Sequence, residues 1–237
     1  MKKNYRKRLK DFRLTGCART AGLFLSGLVL SSCICGGGPP KASAQYAIDY
    51  PPPSFSGLSG LQADIGVSRF SIARAYRGHE MVYSPKPYRE DAYNYARWIA
   101  GPSDMIGDHL LRDLRASGLF GAVFSYCDAE EPRYVLKGGV EKIMETDRGD
   151  STEAALAMNV ILLDRGDTGR PERIVFQRTY RAAEPMQKRT AENFAASASK
   201  AASRMSEEII RDVHEAIQRR LLDERTESGG TTDRPQM

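Results

Sequence analysis

The chain has little of what a chemical site usually needs. Its 237 residues include three histidines, four cysteines and one tryptophan. No HExxH, GxSxG or P-loop pattern occurs, which removes the common motif-borne routes to zinc, serine-nucleophile and phosphate chemistry. No CxxC or other metal-ligand spacing is present, so no metal and no cofactor are expected. "KGG" at 137–139 sits inside a strand pattern and opens no helix, so it cannot cradle a phosphate. The body of the chain also lacks an excess of charge. The formal net charge of +5 arises in the first 33 residues, from Lys2, Lys3, Arg6, Lys7, Arg8, Lys10, Arg13 and Arg19 against Asp11. Taking these eight from 35 basic residues, and Asp11 from 30 acidic ones, leaves 27 against 29, a net charge of −2. A near-neutral body has no general attraction for polyanions, and nucleic acid is not expected as a partner.

What is present begins with an export signal. After the basic head, Thr20 to Cys35 is apolar and rich in small residues. That run is about 15 residues, short of the roughly 20 that cross a bilayer core and right for a signal peptide. Gly36, Gly37, Gly38, Pro39 and Pro40 then break any helix. A retained N-terminal anchor is the other reading. Two cleavage sites compete. "LSSC", Leu30 to Cys33, resembles a bacterial lipobox, with Cys33 as the lipidated new N-terminus; Cys35 is a poorer candidate because bulky Ile34 precedes it. "ASA", Ala42 to Ala44, fits ordinary signal peptidase and would release a soluble periplasmic protein. The Cys33 cut is preferred. Residues 1–32 are then the signal peptide, 33–64 a lipid-anchored Gly/Pro-rich tether, 65–222 the folded domain and 223–237 a disordered tail. Cys35 and Cys127 remain in the mature chain and are able to pair in an oxidising compartment.

The body reads as one α+β domain: a mostly antiparallel sheet of about six or seven strands with two helices packed on one face. "GVSRFSIARAY", from Gly66, alternates as a half-buried strand with Phe70, Ile72 and Tyr76 inward, and "HEMVYS" follows as its hairpin partner. "DAYNYARW" is a third short strand, with Tyr93 and Tyr95 on one face and Trp98 on the other. "GPSDMIGDHLLRDLRASG" carries Pro102 at a first helical position, apolar residues at helical spacing and Gly118 as the stop. "LFGAVFSY" is a short buried strand. Three longer strands follow, Arg133 to Glu145, Ala154 to Asp164 and Arg173 to Arg181, joined by turns rich in Asp, Gly and Arg. Gly138 and Gly139 mark a bulge or bend in the first of them. A long helix from about Lys188 to Leu221 closes the domain, with an apolar stripe through Phe194, Ala198, Ala201, Met205, Ile209, Val213, Ile217 and Leu221.

No catalytic constellation emerges, and no enzyme activity is expected. His79, His109 and His214 read as surface or structural residues. Asp128, Glu130 and Glu131 share a loop that could do acid–base work or bind calcium, but three exposed carboxylates read first as solvated. "RTYR" and "QKR", near residues 178–189, could face anionic head groups; an ordinary strand end and helix start is the plainer reading.

The element order and several local patterns resemble the ABC-type transport auxiliary lipoproteins (PqiC-like proteins). These are exported partners of MCE-type lipid-transport systems in bacterial envelopes. The resemblance rests on the tyrosine-containing opening "YAIDYPPP", then "RFSIARAYRGHEMVYS", then "YNYARWIAGPSDMIGDHLLRDLRASGLFGAVFS", long alternating strands and a C-terminal helix, over roughly residues 45–220. Tyr93, Tyr95, Trp98 and Pro102 are its best anchors. It implies a non-catalytic accessory role: a periplasm-facing domain, tied by acyl chains to the outer membrane, that docks on an MCE-domain protein, with a homo-oligomer left open. Ile34 after the lipidated cysteine, where inner-membrane retention would want Asp, resembles an outer-membrane address. Tyr93, Tyr95 and Trp98 are the expected partner-contact residues, because aromatics on a sheet edge supply large area at low entropy cost. Trp98, on the opposite face from the tyrosines, is the one better suited to the core. An envelope assembly lipoprotein acting on outer-membrane proteins or lipopolysaccharide is the alternative, and an exported hydrolase using Asp128 or Glu131 a distant third.

Overall fold

The computed structural model describes residues 42–149, 151–166 and 172–229. The expected signal peptide, Cys33 and Cys35 lie outside these residues. The α+β class holds: nine strands among the described residues form one sheet, and two helices pack on it. In chain order the elements are β1 (Ala44–Tyr46), β2 (Leu61–Val67), β3 (Ser71–Ile72), a single 3-10 turn (Arg74–Tyr76), β4 (Glu80–Lys86), β5 (Arg89–Trp98), α1 (Pro102–Ser117), β6 (Phe120–Ser125), β7 (Tyr134–Asp147), β8 (Thr152–Asp164), β9 (Arg173–Pro185) and α2 (Ala191–Gly229).

β7 is the spine. One of its edges pairs antiparallel with β8 along its whole length, and β8 pairs antiparallel with β9. These two hairpins follow from alternating apolar strands joined by short turns. The other edge of β7 is shared by three strands, all parallel to it. β2 pairs at Tyr134–Leu136, β3 at Gly139–Val140 and β4 at Glu145–Thr146. The sheet therefore branches. β2 carries β6 at one end of the spine, and β4 carries β5 and then β1 at the other. Pairing is thus mixed: the antiparallel β4–β5, β7–β8 and β8–β9 pairs supply most of the ladder, and short parallel pairs join the rest to it. The expected hairpin between "RFSIARAY" and "HEMVYS" does not form. That first segment breaks after Val67 into β2, β3 and the 3-10 turn, and β4 turns instead to β5 and β7. The two glycines show why it breaks where it does. A Cβ on Gly138 would lie 2.3 Å from the Phe70 ring, and one on Gly139 would lie 2.6 Å from the Ser71 hydroxyl. Their bare backbone lets β3 and Phe70 close over the spine; the bulge itself falls just beyond, between Val140 and Lys142.

The core lies between the sheet and the helices. Leu156, Met158, Val160 and Leu162 of β8 are all buried, as the alternation requires. So is the α2 stripe from Phe194 to Ile217, with Leu221 partly buried at its end. Removing the Phe194 ring would cost about 3–5 kcal/mol, the usual range for a buried aromatic truncated to alanine. α1 begins at Pro102 and ends at Gly118, which takes a left-handed φ of 63°. Its Asp113 is fully buried and accepts a hydrogen bond of 2.6 Å from Ser206 of α2. An ion pair with Arg112 of its own helix compensates the buried charge.

Two boundaries differ from expectation. The tether was expected to reach residue 64, yet the domain begins some twenty residues earlier. β1 pairs with β5, Ile48 and Tyr50 enter the core, and the Asp49 amide donates to the Ser199 hydroxyl at 3.0 Å. The Pro-rich stretch that follows masks the short apolar alternation of "YAIDY". At the other end, α2 continues through 223–229, which were expected in the disordered tail. Glu224 explains the extension. It receives a hydrogen bond of 3.0 Å from Arg133, which also forks onto Asp164 at 2.9 and 3.0 Å, and Arg220 adds a third bond to Asp164 at 3.1 Å. Two helical arginine and glutamate contacts thus fasten the last turns of α2 to the far end of β7 and β8.

Burial works to raise the Asp164 pKa, but hydrogen bonds from Arg133, the Gly166 amide and Arg220 outweigh it and bring it from 3.8 to about 2. A carboxylate whose folded value lies below its unfolded one stabilises the fold above the unfolded value and loses that contribution as pH falls. Stability attributable to Asp164 is therefore complete above pH 3.8 and lost towards pH 2. Denaturant titrations across that window should show a steeper loss for the wild type than for Asp164→Asn, which starts less stable at neutral pH. Parallel curves would remove Asp164 from the acid response.

Candidate partner-docking site

The β4–β5 hairpin holds the expected contact residues, and the alternation of β5 separates them. Trp98 is fully buried, its ring 5.4 Å from that of Phe194 in an edge-on contact. It is therefore removed from the set of direct contact residues: its side of β5 packs against α2 in the core. Tyr95 is 55% exposed. Tyr93 is half-buried, and its ring meets that of Tyr83 at 5.2 Å and an interplanar angle of 64°. Together with Pro85 and Arg189 these tyrosines line an open groove of about 490 Å³. Beside it, Arg89 to Tyr95 of β5 have no strand on their outer side among the described residues, because β1 pairs only with Ala96 to Trp98. A sheet edge with unpaired backbone groups next to an aromatic groove is a site where an extended segment can add as a strand.

The groove has a charged foundation that the sequence reading missed. Glu145 of β7 is fully buried where β4 joins the spine, opposite Tyr83 in register. The Tyr93 hydroxyl donates to one of its oxygens, and the Arg189 Nε donates to the other at 2.7 Å. Arg189 also reaches Asp147 at 3.0 Å. Burial, and then the bond to Glu145, push the Tyr93 hydroxyl well above its ordinary value, so it is a proton donor throughout the physiological range. The hydrogen bond to Glu145 likewise holds Arg189 above its ordinary value. Tyr93 is thus held by a buried carboxylate, and Tyr83 is held through its ring contact with Tyr93. The signal for this was present: a glutamate inside "KIMET", an apolar strand, needs a partner, though nothing local says that the partner is 44 residues away.

The other candidates are occupied structurally. The His79, His109 and His214 rings bond the carbonyls of Trp98, Met105 and Ser59, at 3.1, 2.8 and 2.8 Å. Asp128 accepts from the Ser125 amide at 2.7 Å and tightens its turn, which holds its carboxyl below the ordinary value; Glu130 and Glu131 are exposed in the same loop. Cys127 is exposed. Arg178 and Tyr180 of "RTYR" both engage Asp212 of α2.

Against known proteins, residues 46–210 match the ABC-type transport auxiliary lipoprotein component family. The chain belongs to that family. Two solved structures share its fold. A Xanthomonas campestris protein assigned to DUF330 is 22% identical and superposes with a TM-score of 0.69, covering 76% of this chain and 99% of its own. An uncharacterized protein, 13% identical, gives 0.58 over 73% and 99%. No curated protein matches. Like other members, this auxiliary lipoprotein component is an accessory to an ABC-type transport system.

The ion pair beneath the groove is testable. Arg189→Met leaves Glu145 buried and bonded only to Tyr93, and should cost about 2 kcal/mol in urea unfolding, in line with the penalty for an unsatisfied buried charge. Adding Glu145→Gln should restore much of that loss. A double variant no more stable than Arg189→Met would mean that the pair does not act as a unit.

Proposed function

We propose that this auxiliary lipoprotein is the non-catalytic partner of an ABC/MCE-type intermembrane lipid transporter, anchored through Cys33 to the outer membrane and docking on the MCE-domain assembly. The observation that carries the docking role is the groove of Tyr83, Tyr93, Tyr95 and Arg189 beside the open edge of β5. Family membership supplies the transport context and the lipoprotein character. Every histidine, and the carboxylates of Glu145, Asp113 and Asp164, are committed to holding the fold, which leaves the protein suited to binding rather than turnover.

The start of the folded domain favours the Cys33 cut over the later one. Cleavage after Ala44 would begin the chain inside β1 and remove a residue paired with Ala96. Cleavage before Cys33 leaves β1 whole and a short tether ahead of it. Mass spectrometry of the mature N-terminus should find acyl chains on Cys33; a chain beginning at Gln45 would overturn the anchorage.

Tyr95→Ala should lower the melting temperature far less than truncating the buried Phe194 does, since the ring is more than half exposed, and should abolish most co-purification with the MCE-domain protein from envelope extracts. Tyr95 variants that bind as the wild type, or a wild type that brings down outer-membrane assembly factors instead, would contradict the docking role.

A further inference from the structure

The β1–β5 pairing sets the direction in which the domain faces. Because β1 runs parallel to β5, with Ala44 beside Ala96, the chain ahead of β1 approaches from the low-numbered end of β5. That end is the tip of the β4–β5 hairpin, Pro87 and Tyr88. Three connections gather at the same pole. β4 runs parallel to β7, which places the β7–β8 turn beside the tip, and the antiparallel β9 brings the loop from Pro185 to Ala191 to the same end. The opposite pole carries Asp164, Arg133 and Glu224.

Tyr88 is unlike any other residue at this pole. It is fully exposed, and it is the only non-glycine among the described residues with a positive φ, 66°. Pro87 ahead of it fixes the turn, and the position after such a proline favours glycine or asparagine. An aromatic kept where glycine would be less strained, and pointing wholly into solvent, is an outlier of the kind that attends function. The charges around it are sorted. Asp91 pairs with Arg89, Glu153 with Arg148, Asp147 with Arg189 and Glu184 with Arg204, while Glu90 accepts from Tyr76. Lys86 and Lys188 make no ion pair with a described residue. The pole therefore presents one amphipathic ring and two ammonium groups with no ion-pair partner among the described residues.

We propose that this pole rests on the phospholipid surface to which the chain is anchored, with Tyr88 at head-group depth and Lys86 and Lys188 against phosphates. Tyrosine suits that depth because its ring is apolar and its hydroxyl stays wet, and long lysine stems let their ammonium groups reach phosphate oxygens. The tether length agrees. Cys33 precedes Ala44 by 11 residues, which span at most roughly 40 Å. The tip lies eight strand residues below Ala96, about 26 Å at the usual rise. Eleven residues are therefore long enough to reach past the tip. This contact rests on the anchorage proposed above and adds a fixed orientation: the β5 edge and its groove stand upright on the membrane, facing sideways.

The test uses the purified full protein with vesicles of phosphatidylethanolamine and a minority of phosphatidylglycerol, carrying brominated acyl chains. The one native tryptophan, Trp98, is buried and gives a constant background. Tyr88→Trp should be quenched several-fold more than Ile174→Trp, an exposed position at the opposite pole. A second variant guards against misfolding at the strained turn: Lys86→Glu with Lys188→Glu, in the Tyr88→Trp background, should lose most of that quenching while the fraction of protein on vesicles stays the same. Equal quenching at 88 and 174, or none at 88, overturns the contact. Loss of MCE-protein co-purification on changing Tyr88, without quenching, would assign the tip to a protein partner and overturn it too. Co-purification of the wild type, read separately, reports on the docking role alone.

Discussion

Everything in the sheet takes its place from β7, because that strand is hydrogen-bonded along both edges. β8 occupies one side completely, and β2, β3 and β4 divide the other. A single strand can serve three neighbours only if each is short, and only if the backbone can close on it in the middle. Gly138 and Gly139 provide that closure beneath Phe70 and Ser71. The branch then sends two arms apart, one towards β6 and one towards β5 and β1. Glu145 lies where the second arm departs, and the arginine and tyrosine it holds shape the surface of that arm.

The legible parts of this fold were those with local periodicity. The α2 stripe, the β8 alternation and both ends of α1 can be read from spacing, proline and glycine, since each is decided within a few turns or residues. The branch could not be read. Whether "HEMVYS" pairs with the strand before it or with β7, some sixty residues later, depends on which partner offers a free edge, and that is a property of the whole sheet. The same holds for residues 44–50, whose short apolar pattern gains its meaning only from β5 and α2. Of the site, the faces of Tyr93, Tyr95 and Trp98 followed from alternation, and so did the fitness of Trp98 for the core. Arg189 appeared only as a charged residue near a helix start, since its partner sits on a strand far away in sequence. The positive φ of Tyr88 leaves no mark on composition beyond the proline ahead of it.

Physically, the domain is fixed in one shape by charged groups in its interior. Its buried carboxylates, Asp113, Glu145 and Asp164, each join elements distant in sequence, and each is balanced by arginine. Such groups add little net stability compared with a well-packed apolar core, but separating Glu145 from Arg189 or Asp164 from Arg133 would leave a buried charge unpaired. The docking role proposed for the β5 edge would gain from that rigidity. β1 runs parallel to β5, so the start of the described chain and the edge proposed for docking belong to one strand pair.

The most direct test of the docking account is in-cell photo-crosslinking from a benzophenone amino acid at position 95, compared with position 126 on the far arm, where Tyr126 is equally exposed. The account predicts an adduct between position 95 and the MCE-domain protein of the transporter, and none from position 126. Adducts from both positions alike, or from position 95 only to outer-membrane assembly proteins, would contradict it.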